Sequence, residues 1–320
     1  MFSLQKTGQH FNESTVSVLV PVFQAESFIC ETLDSLNEQV FQDFQLLISI
    51  DKSNDNTELV IKKWCQEHKN IPTQIFCQAH RLGWIKNINF LLEKCHTKYF
   101  MILPHDDLLD RTYLQKMVQC LEMNPQACTA FSDIQYFGAM ESIVTQKSIK
   151  GERLERTLEF LLTFYNAVAF RGLVNRAMLS DFILLSENDC SNFAIDTVWN
   201  MQMVLKGEII RIPEVLYNKR LHAHDDSVHN HWGKFSSREK SKALLEHHKD
   251  CLKIIFRAGF KQEELVRLIE ASKARFLPEL WNFNEKERAS FVDTLLERTN
   301  TALDETKNNP SSKFLPMEHA

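Results

Sequence analysis

Along the first two-thirds of the chain, apolar residues alternate between short unbroken runs and stripes at helical spacing. Residues 17–23 (SVLVPVF) form a β-branched run suited to a strand buried on both faces. Ile29, Leu33 and Leu36 then recur at i, i+4 and i+7, the mark of one helix face. Residues 44–51 (FQLLISID) are a second run. Asp55 and Glu58 beyond it have the spacing of a capping box, and Val60, Ile61 and Trp64 line the helix that the box would open. Residues 74–77 predict a third strand. A helical stripe follows through Ile85, Ile88, Leu91, Leu92 and Cys95. Residues 99–103 (YFMIL) predict a fourth strand, and Leu114, Met117, Val118 and Leu121 a helix that ends before Pro125.

The alternation continues. Residues 129–135 and 168–174 are strand-like, Leu154, Leu158, Leu161 and Leu162 mark a helix, and residues 196–205 predict another. Residues 209–212 and 215–221 are short strands on either side of Pro213 and Glu214. Strands alternating with helices predict an α/β class with a mainly parallel sheet sandwiched by helices. Beyond His231 the pattern becomes almost continuously helical, with Leu244, Leu252, Ile255, Leu268, Phe276, Phe291 and Leu295 at helical spacing. The expected organisation is an α/β domain over 14–230, a helical appendage over 231–305, and a polar tail over 306–320, which its two prolines would leave disordered.

Composition narrows the class. The chain has 320 residues and a formal net charge of -5, against a broad nucleic-acid footprint. No apolar run approaches the roughly 18 residues of a spanning helix, and the first 12 residues lack a secretory signal pattern. The eight cysteines are scattered, with no zinc-type pair. They read as reduced, which places the chain in the cytoplasm. No G-x-G-x-x-G follows the first strand, which argues against a dinucleotide-dependent oxidoreductase or a methyltransferase.

Ligands of parallel sheets sit beyond the carboxyl ends of the strands. Asp51, His105, Asp106 and Asp107 follow the second and fourth strands. Asp51, in ISIDKSNDNT, can accept hydrogen bonds from a nucleobase or ribose, or serve the turn it opens. The acidic pair in PHDDLLD (104–110) suits a hard divalent ion held with substrate phosphates, or else a helix N-terminus. The run RLHAHDDSVHNHW offers His222, His224, His229 and His231 with Asp225 and Asp226, a metal site or a solvated loop, after an Arg220 able to fork onto a phosphate. Trp84, Trp199, Trp232 and Trp281 read as packing residues.

Four segments together resemble the family 2 glycosyltransferases of the GT-A fold. In VSVLVPVFQAESFICETLDSLNEQVFQDFQLLISIDKSNDNT the matching positions include Pro21, Thr32, Leu33, Ser35, Gln39, Asp51, Ser53, Asp55 and Thr57. RLGWIKNINFLL resembles the glycine-led segment next to the nucleotide, with Gly83, Asn87 and Asn89 in register. YFMILPHDDLLD resembles the strand and DXD metal motif. AIDTVWNMQMVLKGEIIRIPEVLYNKRLHAHDDS resembles the block that carries the catalytic base.

The resemblance covers residues 15–228. It implies inverting transfer of a sugar from a nucleoside diphosphate, UDP first, to a saccharide, lipid-linked or protein acceptor in surface glycan or glycoconjugate synthesis. It further implies Asp196 as general base, Asp106 and His222 as ligands of Mg²⁺ or Mn²⁺, and Pro21, Phe23, Asp51, Ser53, Gly83, Asn87, Asn89, Asp107 and Arg220 around the donor.

Three positions depart from the pattern. Pro104 replaces the first Asp of the DXD, Ile195 the Glu before the base, and Ile50 the first Asp of the "DDgS" motif. These departures motivate the alternative of a non-catalytic sugar-nucleotide-binding scaffold on the same fold. Lys240, Lys242, Lys249, Lys253, Arg257 and Lys261 give the C-terminal helices a cationic side through which a peripheral membrane contact could form.

Overall fold

The computed structural model describes residues 14–163, 167–179, 184–222, 235–276 and 285–308. The strands are β1 (Val16–Val22), β2 (Phe44–Ile50), β3 (Thr73–Cys77), β4 (Tyr99–Ile102), β5 (Leu108–Leu109), β6 (Ala127–Gly138), β7 (Ser142–Val144), β8 (Leu173–Asn175) and β9 (Glu208–Leu221). The helices are α1 (Ile29–Asn37), α2 (Thr57–Glu67), α3 (Trp84–Lys94), α4 (Tyr113–Met123), α5 (Arg153–Leu162), α6 (Ile195–Lys206), α7 (Ser237–Arg257), α8 (Gln262–Arg275) and α9 (Glu285–Asn308).

One sheet runs in the order β3-β2-β1-β4-β8-β6-β9-β5, with β7 on β6. β3, β2, β1 and β4 are parallel, as are β6 and β9, whereas β8 is antiparallel to both neighbours and β5 to β9. Every residue of β2 is buried, as a parallel strand covered on both faces requires. α3 packs on β1 and β2, and α4 on β6, β8 and β9. Leu19, Leu46, Ile48, Phe100 and Phe131 are among the fully buried core side chains, and each stabilises the fold by about 1.5–3 kcal/mol.

The described residues form two compact units. The first takes those of Met1–Ser148, Val168–Ser186 and Gly207–His224, and the second those of Ile149–Ala167, Glu187–Lys206 and Asp225–Ala320. In the second, α5 packs on α6 and α8, α6 on α7, and α9 on α7 and α8. Ser236 and Glu239 close a reciprocal capping box on α7. Lys249 and Lys253 pair with Glu246 and Asp250 on the same helix, at 2.5 and 3.2 Å, so the cationic side is partly neutralised. Among the described residues no helix is long and apolar enough to cross a membrane.

Four local expectations are corrected. The strand foreseen over 168–174 is a 3-10 turn, Ala167–Arg171, before the short β8. The two short strands around Pro213 are one strand, β9, whose pairing with β6 is irregular there. An irregular stretch tolerates a proline because the ladder bond it cannot donate is already missing. The capping box at α2 does not form: Asp55 accepts from Thr57 rather than from the third helical residue, and Glu58 is drawn to Lys62. Trp84 is 44% exposed rather than packed, whereas Trp199 is buried; Trp232 and Trp281 lie outside the described residues.

Two predictions arise from this architecture. Gly138 ends β6 with φ +96°, and a Cβ there would lie 2.6 Å from the carbonyl oxygen of Leu221. Gly138→Ala is therefore expected to destabilise the first unit by more than about 1 kcal/mol, read as a lower denaturation midpoint. An unchanged midpoint would show that β9 can shift freely.

The second concerns the buried His247 and His248 of α7. Among the described residues neither ring nitrogen of His248, nor Nδ1 of His247, has a hydrogen-bond partner, and the Phe276 ring lies edge-on to both at 5.2 and 5.3 Å. Burial holds both imidazoles neutral, pushing His247 well below its ordinary value and His248 down to about 3. Arg275 adds to the effect on His247, and Arg298 to that on His248. The unfolded chain takes up these protons near pH 6.5, while the folded chain resists until far lower. The stability is thus fully present above that value and is lost as pH falls through the window from 6.5 towards 3, by up to about 1.4 kcal/mol per pH unit per histidine. Burial raises the carboxyls of Asp107 and Asp250, which act in the opposite sense. The test is therefore the difference between wild type and His248→Gln, whose midpoint should fall less between pH 7.5 and 5. Parallel curves would refute this.

Candidate active site

Val22 lies opposite Ile50, and Ile50 opposite Cys77, so β1, β2 and β3 end along one edge of the sheet. Asp51 follows β2 directly and is 3% exposed. Its Oδ1 accepts from the backbone amides of Lys52 at 2.9 Å and Leu82 at 2.7 Å, and its Oδ2 from Gly83 at 2.9 Å. The carboxylate thus seats the loop that opens α3. Gly83 adopts φ +82°, a left-handed conformation that favours glycine, and its carbonyl accepts from Asn87.

The loops after β1 and β2 lock together. Ser53 Oγ accepts from the amide of Gln24 at 3.0 Å and donates to the Asp51 carbonyl. Thr57 Oγ1 accepts from Ala25 N at 2.7 Å, and Asp55 accepts from Glu26 N and from Thr57. Although burial pushes the Asp55 carboxyl up, the Thr57 hydroxyl and these amides outweigh it and hold the group below its ordinary value. The guanidinium carbon of Arg81 sits 4.0 Å above the ring of Phe23.

The loop after β4 brings a second acidic group to the same edge. Leu19 pairs with Ile102, and His105 Nδ1 lies 3.4 Å from the carbonyl of Pro21. Asp106 and His222 are 116 positions apart in sequence, yet His222 Nε2 stands 2.7 Å from Asp106 Oδ2. Both side chains keep some exposure, 18% for Asp106 and 33% for His222. His222 also leans on the ring of Phe28, centroid to centroid 4.7 Å.

Asp107 faces the other way. It is 2% exposed, with Oδ2 accepting from the Tyr217 hydroxyl at 2.7 Å and Oδ1 from the Arg220 amide at 2.9 Å. Burial pushes this carboxyl up; Arg171, 3.6 Å away, opposes the rise and the Asp106 charge adds to it.

Several residues expected around a donor have partners inside the protein. Asp107 braces β9, since both its oxygens are spent inside the protein. Asn87 is buried and donates to Ser49 O at 3.0 Å. Asn89 binds the main chain of Leu185 with both ends of its amide, at 2.9 Å each. Pro21, Phe23, Asp51, Ser53, Gly83, Asp106, Arg220 and His222 all belong to the first unit, at or beyond strand ends. Asp196 belongs to the second unit. It lies in the first turn of α6, half-buried, and its Oδ1 accepts from Thr197 N at 2.8 Å. His224, His229, His231, Asp225 and Asp226 lie outside the described residues.

Among the described residues no three His, Cys, Asp or Glu side chains converge as a self-sufficient metal site. Asp106 and His222 supply two converging ligand atoms. Two ligands fit an ion that completes its shell with phosphate oxygens and water, as Mg²⁺ commonly does, rather than one held by protein alone.

The family model for glycosyl transferase family 2 matches residues 17–181. This chain belongs to that family. An uncharacterized glycosyltransferase of Haemophilus influenzae is 26% identical over 68% of each chain. The processive diacylglycerol beta-glycosyltransferase of Mycoplasma genitalium is 21% identical over 65% of this chain, which spans only 56% of that relative. Among solved structures, S. aureus TarS 1-349 in complex with UDP-GlcNAc aligns over 92% of each chain with a TM-score of 0.60 at 16% identity. The Pyrobaculum calidifontis mannosyltransferase PcManGT, in complex with GDP-Man and Mn²⁺, covers 93% of this chain and 88% of its own with a TM-score of 0.53 at 14% identity. These likenesses show the GT-A-like fold.

In this family 2 glycosyltransferase, sequence reasoning missed Phe28, Glu31, Arg171 and the brace formed by Tyr217. Phe28 and Glu31 precede or open α1, where an apolar or acidic residue is ordinary, and Arg171 sits in the turn misread as a strand. Only the structure shows what they touch.

Proposed function

We propose that this glycosyltransferase moves a sugar from a nucleoside diphosphate donor, UDP first, to an acceptor hydroxyl with inversion, aided by a divalent ion, in the building of a surface glycan or glycoconjugate. The observation that carries this reading is the pairing of Asp106 with His222 beside the end of β1. These two would hold Mg²⁺ or Mn²⁺, and the ion would neutralise charge on the departing diphosphate. The UDP-GlcNAc complex of TarS and the GDP-Man complex with Mn²⁺ of PcManGT support a nucleotide-sugar donor and a metal.

The chain's own residues have three tasks in this reading. Asp51 shapes the nucleoside side of the pocket by fixing Leu82 and Gly83. The interlocked loops at Gln24 and Ser53 keep that wall rigid before the donor arrives, so less ordering is lost on binding. Asp196 takes the proton of the attacking hydroxyl, a poor nucleophile until a carboxylate removes it.

The alternative, a sugar-nucleotide-binding scaffold without turnover, draws on Pro104 and Ile195, which remove two carboxylates the family pattern places there. A panel of UDP-, GDP- and dTDP-sugars with Mn²⁺ or Mg²⁺ separates the two. Transfer, or slow donor hydrolysis that stops with a chelator, is the expected result, and NMR of the product anomer reports inversion. Donor binding with no turnover under any metal would favour the scaffold.

A further inference from the structure

Arg220 was expected to fork onto a phosphate, but two of its three guanidinium nitrogens are already taken. Nε donates to the main-chain carbonyl of Asp106 at 3.2 Å, and Nη2 lies 2.5 Å from Glu31 Oε2. Its faces are flanked by two aromatic rings, with Phe137 4.6 Å and Phe28 5.1 Å from the guanidinium carbon. Its main-chain amide is held by Asp107. The side chain is 16% exposed, while Glu31, on the first turn of α1, is 57% exposed. A carboxylate at one edge of the guanidinium disfavours a phosphate at that same edge by like-charge repulsion.

We propose that Glu31 and Arg220 are positioning residues for Asp106. Glu31 sets the angle of the guanidinium, and the guanidinium holds the peptide of Asp106. That hold fixes the direction in which the Asp106 carboxylate faces. The same arrangement ties down β9 two residues before His222, and Phe28, in contact with both Arg220 and His222, completes the cage. Partners that orient ligands in this way tune metal affinity without touching the ion. The inference rests on the reading of Asp106 and His222 as metal ligands.

The test uses the full chain, with Mn²⁺ binding in the presence of UDP followed by electron paramagnetic resonance, and UDP binding without metal followed by calorimetry. Glu31→Gln, an exposed substitution that leaves the core intact, is expected to weaken Mn²⁺ binding about 10-fold and to leave metal-free UDP binding unchanged. Glu31→Asp should recover part of the loss. In an Arg220→Gln background, or Arg220→Lys if the former fails to fold, Glu31→Gln should have no further effect.

Three results would overturn the proposal. One is wild-type Mn²⁺ affinity in Glu31→Gln. Another is a Glu31→Gln effect that persists without Arg220, which would mean a charge acting through space. The third is loss of metal-free UDP binding in Arg220→Gln, which would mean a direct phosphate contact. Asp106→Asn distinguishes this proposal from its premise. If that variant binds Mn²⁺ like wild type, the metal reading falls and takes the proposal with it. If it loses Mn²⁺ while Glu31→Gln keeps it, only the proposal falls.

Discussion

Asp196→Asn is expected to lower sugar transfer about 10²–10⁴-fold while donor affinity stays intact. The substitution separates two tasks of one side chain. Asp196 sits in the first turn of α6, where the helix dipole favours a negative charge, and its Oδ1 accepts from Thr197 N. An amide oxygen can keep that hydrogen bond, so an asparagine retains the local contact. It cannot take a proton from a hydroxyl. The helix itself is well anchored, with Trp199, Met201, Met203 and Val204 all buried, so the exchange should leave its position unchanged. Single-turnover transfer and donor calorimetry on the same preparation are the measurements. Wild-type rates in the variant would remove Asp196 from the mechanism and leave it only its place in the first turn of α6.

The second large effect is expected at Asp106. Asp106→Asn should abolish the metal stimulation of donor binding and with it most of the transfer. The loss should be at least as large as the roughly 10–100-fold produced by disturbing residues that merely orient a ligand. The reason lies in the ligands: of the two side chains that converge there among the described residues, Asp106 supplies the carboxylate, and losing it leaves the imidazole of His222. A neutral amide is a far weaker partner for a hard cation than a carboxylate. Asp107→Asn gives the contrast. Its oxygens are spent on Tyr217 and Arg220, so its cost should appear first as lower stability, through an unpaired buried network. If Asp106→Asn binds donor as well as wild type with Mn²⁺ present, the metal reading is wrong.

Much of the architecture was legible in the sequence because parallel strands announce themselves. SVLVPVF and FQLLISI are mostly apolar, and the structure buries all of the second and most of the first. The rule that ligands gather beyond strand ends led directly to Asp51 and to the Asp106 loop. What the sequence could not reveal was the direction of neighbouring side chains. Asp106 and Asp107 are adjacent carboxylates of one type, yet one meets His222 near solvent and the other is sealed against Tyr217. That difference is set by the arrival of β9, more than 100 residues later. The amide of Asn89 likewise holds Leu185, a partner with no local signature. The turn at Ala167–Arg171 was misread because AVAFR is as apolar as a strand, and only its company distinguishes it.

The pairing of β6 with β9 has a consequence for the register of everything downstream. From Ser132 to Ile134, β6 advances two residues while β9 advances from Ile212 to Tyr217, so three extra residues are absorbed around Pro213 and Glu214. Side chains on a strand alternate sides, so an odd number of surplus residues decides which side everything downstream presents. Drawing one of the three back into the ladder, with no residue lost, would slide everything downstream by one place and exchange the sides of Arg220 and Leu221, sending a guanidinium where a leucine belongs. The surplus acts as a phase shifter, and the chemistry at the strand's far end depends on its being odd.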